Sequence, residues 1–382
     1  MKRLETEAAL RDSRRRFLAG LAGLATAAAM PAAAALVPDR DRPYVIDCHM
    51  HYSTAPRQLQ AYREAQLAGL REAQPVLVKG NLGITDDQIR ASMEGVRRLQ
   101  RERGTHLAVL SPRGVAMGHH IGNETTSRFW AEHCNELVYR ICQLYPRHFA
   151  GACQLPQSPG VRPSNCIREL ERCVKEFGFV GCILNPDPSG GYWSDPPLTD
   201  RWWYPLYEWL VDLDVPAVIH GSASRNPALH TTGAHYLSID TAAFMQLVTS
   251  NVFRDFPGLR FVLSHGGGAV PYQWGRYRAL LQEMGRGALE DLLARNLYFD
   301  TCVYSRAAME LLLGTVPVDH ILFGSEMMGA MRGIDPRTGH AYDDTKRYID
   351  AIEWLRPEDR QKILGGNAMR VFPRLAGRHP RG

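Results

Sequence analysis

Two histidines, His49 and His51, stand one residue apart at the end of the apolar run Tyr44-Val-Ile-Asp-Cys-His-Met-His51. The run is β-branched and alternating, which predicts a strand. Strand side chains repeat every two residues, so strict alternation puts Asp47, His49 and His51 on one face. Two imidazoles side by side on a rigid element are half of a metal site. Other polar residues end similar runs: His220 closes Pro216-Ala-Val-Ile-His220, His265 closes Arg260-Phe-Val-Leu-Ser-His265, and Glu326 follows Ile321-Leu-Phe-Gly-Ser325. Three histidines and a carboxylate at one mouth hold a divalent metal. Such an ion lowers the pKa of a bound water, so that hydroxide is available near neutral pH.

Something must bring these residues together. Eight short apolar runs recur: 44–51, 106–111, 148–155, 179–185, 216–220, 260–265, 297–303 and 320–325. Helical patterns separate most of them, as over Ser164–Phe177 and Thr241–Phe256. Thr85-Asp-Asp-Gln88 is a capping-box start for a helix over 86–103. Alternating strands and helices of this number predict a (β/α)8 TIM barrel, whose strand ends converge on one mouth. The connection from Tyr52 to Thr105 exceeds a plain crossover and is expected to be a lid-like insertion.

The chain has 382 residues, 45% of them hydrophobic, enough for one large core. Its first 35 residues read as a separate segment. Ser13-Arg-Arg-Arg-Phe-Leu18 precedes a small-residue apolar stretch ending at Ala33-Ala34-Ala35. This pattern predicts a twin-arginine signal peptide, recognition by the export machinery and a periplasmic destination, with the barrel over 36–382. The stretch is shorter than the roughly 20 residues that span a bilayer, so no permanent membrane anchor is expected. The segment carries six basic and three acidic residues, hence +3 of the chain's net +5. The remaining +2 is no nucleic-acid footprint. Among the eight cysteines, Cys48, Cys153, Cys182 and Cys302 lie in strand-like runs, where cysteine acts as a small buried hydrophobe. A homo-oligomer is expected.

The pattern Asp47-x-His49-x-His51, His220, His265-Gly-Gly and Gly-Ser-Glu326 resembles the amidohydrolase superfamily. The tail Gly366-Asn-Ala-x-Arg370-Val-Phe372 resembles its decarboxylase-like branch. That branch usually has Asp where this chain has Glu326. The longer strings 155–160, 185–191, 230–236, 265–272, 325–340 and 342–349 resemble the family of 4-oxalomesaconate hydratases. The resemblance implies a metal-dependent hydro-lyase, zinc first and manganese second, adding water to a carbon–carbon double bond of an unsaturated oxo-tricarboxylate. It implies His49, His51, His220 and Glu326 around the metal. Glu326 is either a ligand or the general base, and His265 orients water or donates a proton. A polycarboxylate also calls for cationic and polar groups, with Arg113, His119, His120, Asn185, Arg225, Tyr272 and Arg332 as candidates. The alternatives are a non-oxidative decarboxylase, a lactone or ester hydrolase using the same hydroxide, and an exported binding protein that has kept the barrel.

Overall fold

The computed structural model describes residues 43–71, 78–114, 118–293, 295–329 and 331–376. The signal segment expected over 1–35 lies outside them. Eight parallel strands pair in chain order, β1 to β8. They are β1 Ile46–Tyr52, β2 Leu107–Pro112, β3 Phe149–Gln154, β4 Gly181–Leu184, β5 Ala217–Ile219, β6 Phe261–Leu263, β7 Leu297–Asp300 and β8 Ile321–Leu322. Each falls within one of the apolar runs or overlaps it. Two backbone bonds bring the chain after β8 back to β1: Cys48 N–H to the Phe323 carbonyl (2.8 Å) and Glu326 N–H to that of His49 (2.7 Å). The fold is a (β/α)8 barrel.

The strands are buried on both faces, as parallel strands covered by helices must be. Ile46, Leu107, Val109, Ala150, Ala152, Val218 and Val262 form an inner cluster with Phe372 and Leu375 of the C-terminal tail. The alternate residues, such as Ala108, Leu110, Phe149, Phe261 and Phe299, pack outwards in the larger core. The tail beyond Asn367 thus packs into the inner cluster, which gives the Val371-Phe372 signature a packing role.

The helices used below are α1 Arg57–Gly69, α2 Asp86–Glu102, α3 Glu124–Leu144, α4 Ile167–Lys175 and α5 Tyr236–Val248. The Thr85 capping box forms, its hydroxyl accepting from Gln88 N–H while the Gln88 side chain accepts from Thr85 N–H. The helix expected from Thr241 starts earlier, at Tyr236, behind a π-helical turn over Thr231–His235, and stops at Val248. Its first turn escapes apolar periodicity because Tyr236 and Asp240 face the polar centre. All eight cysteines are buried and none is disulfide-bonded. Among the described residues no helix is long and apolar enough to cross a membrane.

Strict alternation fails on β1. Asp47 pairs with Ala108 and Met50 with Leu110, so β1 spends three residues where β2 spends two. This bulge reverses parity. Asp47 shares the outward side of Ala108, while His51, opposite Ser111, turns inward with His49. Asp47 therefore does not share the histidines' face.

Candidate metal centre and active site

His49 and His51 reach the barrel mouth from β1, His220 from the residue after β5, and His265 from two residues after β6. Glu326 comes from the turn after β8. All five are buried, from 1 to 8% exposed. One ligand atom each from His49, His220, His265 and Glu326 lie within 4.8 Å of one another. His51 Nε2 is 3.1 Å from His49 Nε2 and 3.2 Å from His220 Nε2. Glu326 Oε1 lies 3.8 Å from His51 Nε2, and Oε2 lies 4.0 Å from His265 Nε2.

The far side of each ring decides what the near side offers. His49 Nδ1 faces Asp300 Oδ2 (2.7 Å), His51 Nδ1 the Ser111 hydroxyl (2.8 Å), His220 Nδ1 the Gly221 carbonyl (2.7 Å) and His265 Nδ1 Asp240 Oδ2 (2.8 Å). With Nδ1–H donating to these acceptors, the Nε2 atoms of neutral rings carry inward lone pairs. Lone pairs this close repel unless a cation lies between them. Ligands bonded at about 2.0–2.1 Å sit roughly 3.0–3.4 Å apart around an ion, so the donor set fits a single divalent metal.

Electrostatics sort the four rings. Burial holds His51 down at about 3, helped by the charge of His49. Burial also pushes His220 well below its ordinary value, with His51 and His265 adding to it. These two stay neutral, as ligands must. His265 is the opposite case. Burial works against its charge, but Asp240, with Glu326 and Asp300, outweighs burial and lifts it to about 9. Asp300 likewise raises His49 against burial. Glu326 is lowered: burial opposes ionisation, and His49, His265, His51 and the Tyr304 hydroxyl overcome it. A bound ion would favour the anionic carboxylate further.

The turn that carries Glu326 is tightly held. Glu326 has φ +52° and Met328 +59°, the left-handed region non-glycine residues avoid. A Cβ on Gly329 would lie 2.5 Å from Glu326 Cγ, so only glycine fits behind the carboxylate. Asp47 accepts from Ser325 N–H (3.1 Å) and the Ser325 hydroxyl, tying β1 to this turn. Asp343 accepts from Met328 N–H (2.9 Å) and from Arg103 (2.8 Å). Tyr304 donates its hydroxyl to Glu326 Oε2 (2.6 Å), leaving Oε1 towards the histidines. His265 also has a left-handed backbone, φ +50°, continued by Gly266 and Gly267. A Cβ on Gly266 would sit 2.6 Å from Val303 Cγ1, which accounts for the glycine run.

The polar candidates divide. Arg113 lines a cavity of about 200 Å3 between the β1 and β2 ends and helices α1 and α3, with Tyr52, Leu59 and Trp130. Its charge reaches Tyr236, whose ring stacks on His265 (centroids 5.5 Å) and meets His220 edge-on (5.0 Å). Asn185 is buried, its amide donating to the Ser222 hydroxyl (3.1 Å) and facing His119 Nδ1 (3.0 Å). His120 adjoins that pair. Arg225 is exposed, its Nε donating to the Ser189 carbonyl (3.1 Å) and its guanidinium over Tyr192 (5.1 Å). Arg332 turns back on the Met328 carbonyl (2.8 Å) and braces the Glu326 turn. Tyr272 is 76% exposed.

Sequence reading missed Asp300, Asp240, Tyr304, Tyr236 and Ser111. Asp300 and Ser111 had a signal: each is polar at the end of an apolar run. Asp240, Tyr236 and Tyr304 lie on a helix or in a loop, where no strand register marks them.

Comparison with known proteins agrees with this geometry. The amidohydrolase family model matches residues 46–374. The chain is 52% identical to 2-keto-4-carboxy-3-hexenedioate hydratase of Sphingobium sp. (strain NBRC 103272 / SYK-6), over 87% of this chain and 96% of that protein. The crystal structure of 4-oxalomesaconate hydratase from Rhodopseudomonas palustris superimposes with a TM-score of 0.81 at 53% identity, covering 87% of this chain and 97% of that one. A manganese-bound dihydroxybenzoic acid decarboxylase from Polaromonas sp. JS666, at 21% identity and TM-score 0.61 over 87% and 97%, shares the fold. With a parallel eight-stranded barrel, an inward histidine pair on the first strand and a family match over most of its length, this chain belongs to the amidohydrolase family.

Proposed function

We propose that the protein is a metal-dependent hydratase that adds water across a carbon–carbon double bond of an unsaturated oxo-tricarboxylate such as 4-oxalomesaconate. The observation that carries this reading is Glu326 facing the buried imidazoles. It stands in a chain that is half identical, over nearly the full length of each, to hydratases named for such acids.

In this reading His49, His51 and His220 hold the ion, with Glu326 beside it. Zinc is the first choice for this nitrogen-rich set, with manganese second. When bound, the ion acidifies water and polarises an oxygen of the substrate. Glu326, anionic and anchored at Oε2 by Tyr304, takes the proton from the attacking water through Oε1. His265, held protonated by Asp240, gives a proton to the other alkene carbon. Hydroxyl and hydrogen are thus both delivered; both side chains end neutral, and return of the proton from Glu326 to His265 across 4.0 Å restores the starting state. Arg113, at the edge of the mouth, attracts a carboxylate and stabilises enolate charge.

The test is direct. Metal-loaded protein is incubated with 4-oxalomesaconate, loss of the conjugated absorbance is followed, and the product is weighed. A gain of one water supports the hydratase. Loss of carbon dioxide supports a decarboxylase, and an unchanged compound sinks the substrate. We further propose export by the twin-arginine route to the periplasm. Its support is the Arg14-Arg15-Arg16-Phe17-Leu18 motif and a family match that begins only at residue 46. N-terminal sequencing of protein from the native host that returns Met1 would end that idea.

A further inference from the structure

Beside the metal-facing group, on the side of β4 and β5, lies a second gathering of imidazoles. His235 closes the π-helical turn before α5 and is 0% exposed. Neither of its ring nitrogens has a hydrogen-bond partner among the described residues. His120 Nδ1 is also buried without one. Buried polar atoms in native proteins nearly always find a partner, so several orphans in one place point to a missing ligand.

The group adjoins the catalytic centre. Ser222, two residues after His220, accepts from the Asn185 amide that also faces His119. Tyr236, next to His235 in the chain, is the ring stacked on His265. The surroundings favour an anion. Burial lowers His120, and the charges of Arg225, Arg63 and His235 lower it further. The acid of the group, Asp187, is already engaged by Ser189 N–H (3.1 Å), Gly191 N–H (2.6 Å), Trp193 N–H (3.1 Å) and the Ser189 hydroxyl. A Cβ on Gly190 would come within 2.6 Å of His120 Nδ1, so this close packing of the loop on the imidazole requires glycine.

We propose that His235, with His120 beside it, binds a substrate carboxylate remote from the metal and sets the preference for tri- over dicarboxylates. This deepens the hydratase reading and rests on it for the identity of the substrate. The carboxylate accepts from the imidazole N–H groups, and its charge offsets the neighbouring guanidiniums.

The experiment compares wild type, His235→Phe and His235→Gln. With 4-oxalomesaconate, the Phe variant is expected to raise KM 10- to 100-fold with kcat within threefold and metal content unchanged. Gln, which keeps a donor and an acceptor, is expected to recover most of that loss. In a second arm, tricarballylate and glutarate are titrated calorimetrically into metal-loaded protein. Wild type is expected to prefer the tricarboxylate at least tenfold, and the Phe variant to lose the preference. Should the Phe variant not fold, His120→Asn reads the same preference. If wild type shows no hydratase activity while the calorimetric preference and its loss both stand, the substrate reading fails and the subsite survives. An unchanged KM and preference, or a loss confined to kcat and metal content, overturns the subsite.

Discussion

Asp240→Asn tests the assignment of His265 as the proton donor. Asp240 is 1% exposed and its Oδ2 lies 2.8 Å from His265 Nδ1. Burial alone disfavours the imidazolium, and Asp240 is the largest influence that restores it, to about 9. Asn keeps the shape and an acceptor oxygen but removes the charge. If His265 then returns to its ordinary value of about 6.5, its protonated fraction at pH 8 falls from about 0.9 to about 0.03. The rate there drops roughly 30-fold, while at pH 6 it changes less than about twofold. A bound divalent ion lowers His265 in both proteins, so the difference between profiles is the observable. The assay is kcat/KM from pH 5.5 to 9.5 at saturating metal. The alkaline limb should move to lower pH in the variant. Equal limbs with a uniform loss of rate would refute the proton-donor role and leave Asp240 as a packing residue.

Three further expectations follow from contacts around the centre. Asp300→Asn weakens the carboxylate behind His49 and should lower metal affinity about 10- to 100-fold, read by competition with a chelator. Tyr304→Phe removes the hydroxyl that helps to lower Glu326; kcat should fall about tenfold and the acid limb move to higher pH, with metal content unchanged. Gly151→Ala places a Cβ against the Phe179 ring in the core and should destabilise the fold by about 1–3 kcal/mol in denaturant titration, with the active-site residues in place.

The barrel was legible because each strand is a short apolar run, and because the residue ending it is polar for a reason other than solubility. His49, His51, His220, His265 and Glu326 all followed from that one pattern. The bulge on β1 was not legible. An extra residue changes which side chain faces inward without changing composition, and only the pairing with Ala108 and Leu110 reveals it. Asp240 was hidden for a different reason. It lies on α5, 25 residues before its partner His265, where a buried acid in a helix looks like any surface acid. The arginines were the least legible. Arg225 and Arg332 have the chemistry to bind carboxylate, but backbone carbonyls hold them, Arg225 by Ser189 of the loop after β4 and Arg332 by Met328 of its own loop. Residue type gives the capacity to bind, and the local fold decides whether it is free.

The centre holds four imidazoles of the same chemistry, and what stands behind each ring separates their roles. A hydroxyl behind His51 and a carbonyl behind His220 favour a positive ring too weakly to offset burial, so both stay neutral with lone pairs inward. Carboxylates stand behind the other two: Asp300 raises His49, whose Nε2 faces His51, and Asp240 lifts His265 to about 9. Hydration needs a base and an acid in the same pocket at the same pH, whereas an isolated carboxylate and imidazole are both charged only between about pH 4.3 and pH 6.5. Here Glu326 is pushed down and His265 up, each partly by the other across 4.0 Å. Both are therefore charged through the neutral range, one ready to take a proton and the other to give it. The longer Glu side chain matters to this division. It brings its carboxylate between the imidazoles while Tyr304 and the left-handed turn fix it from behind, so the base is positioned by the barrel as well as by the ion.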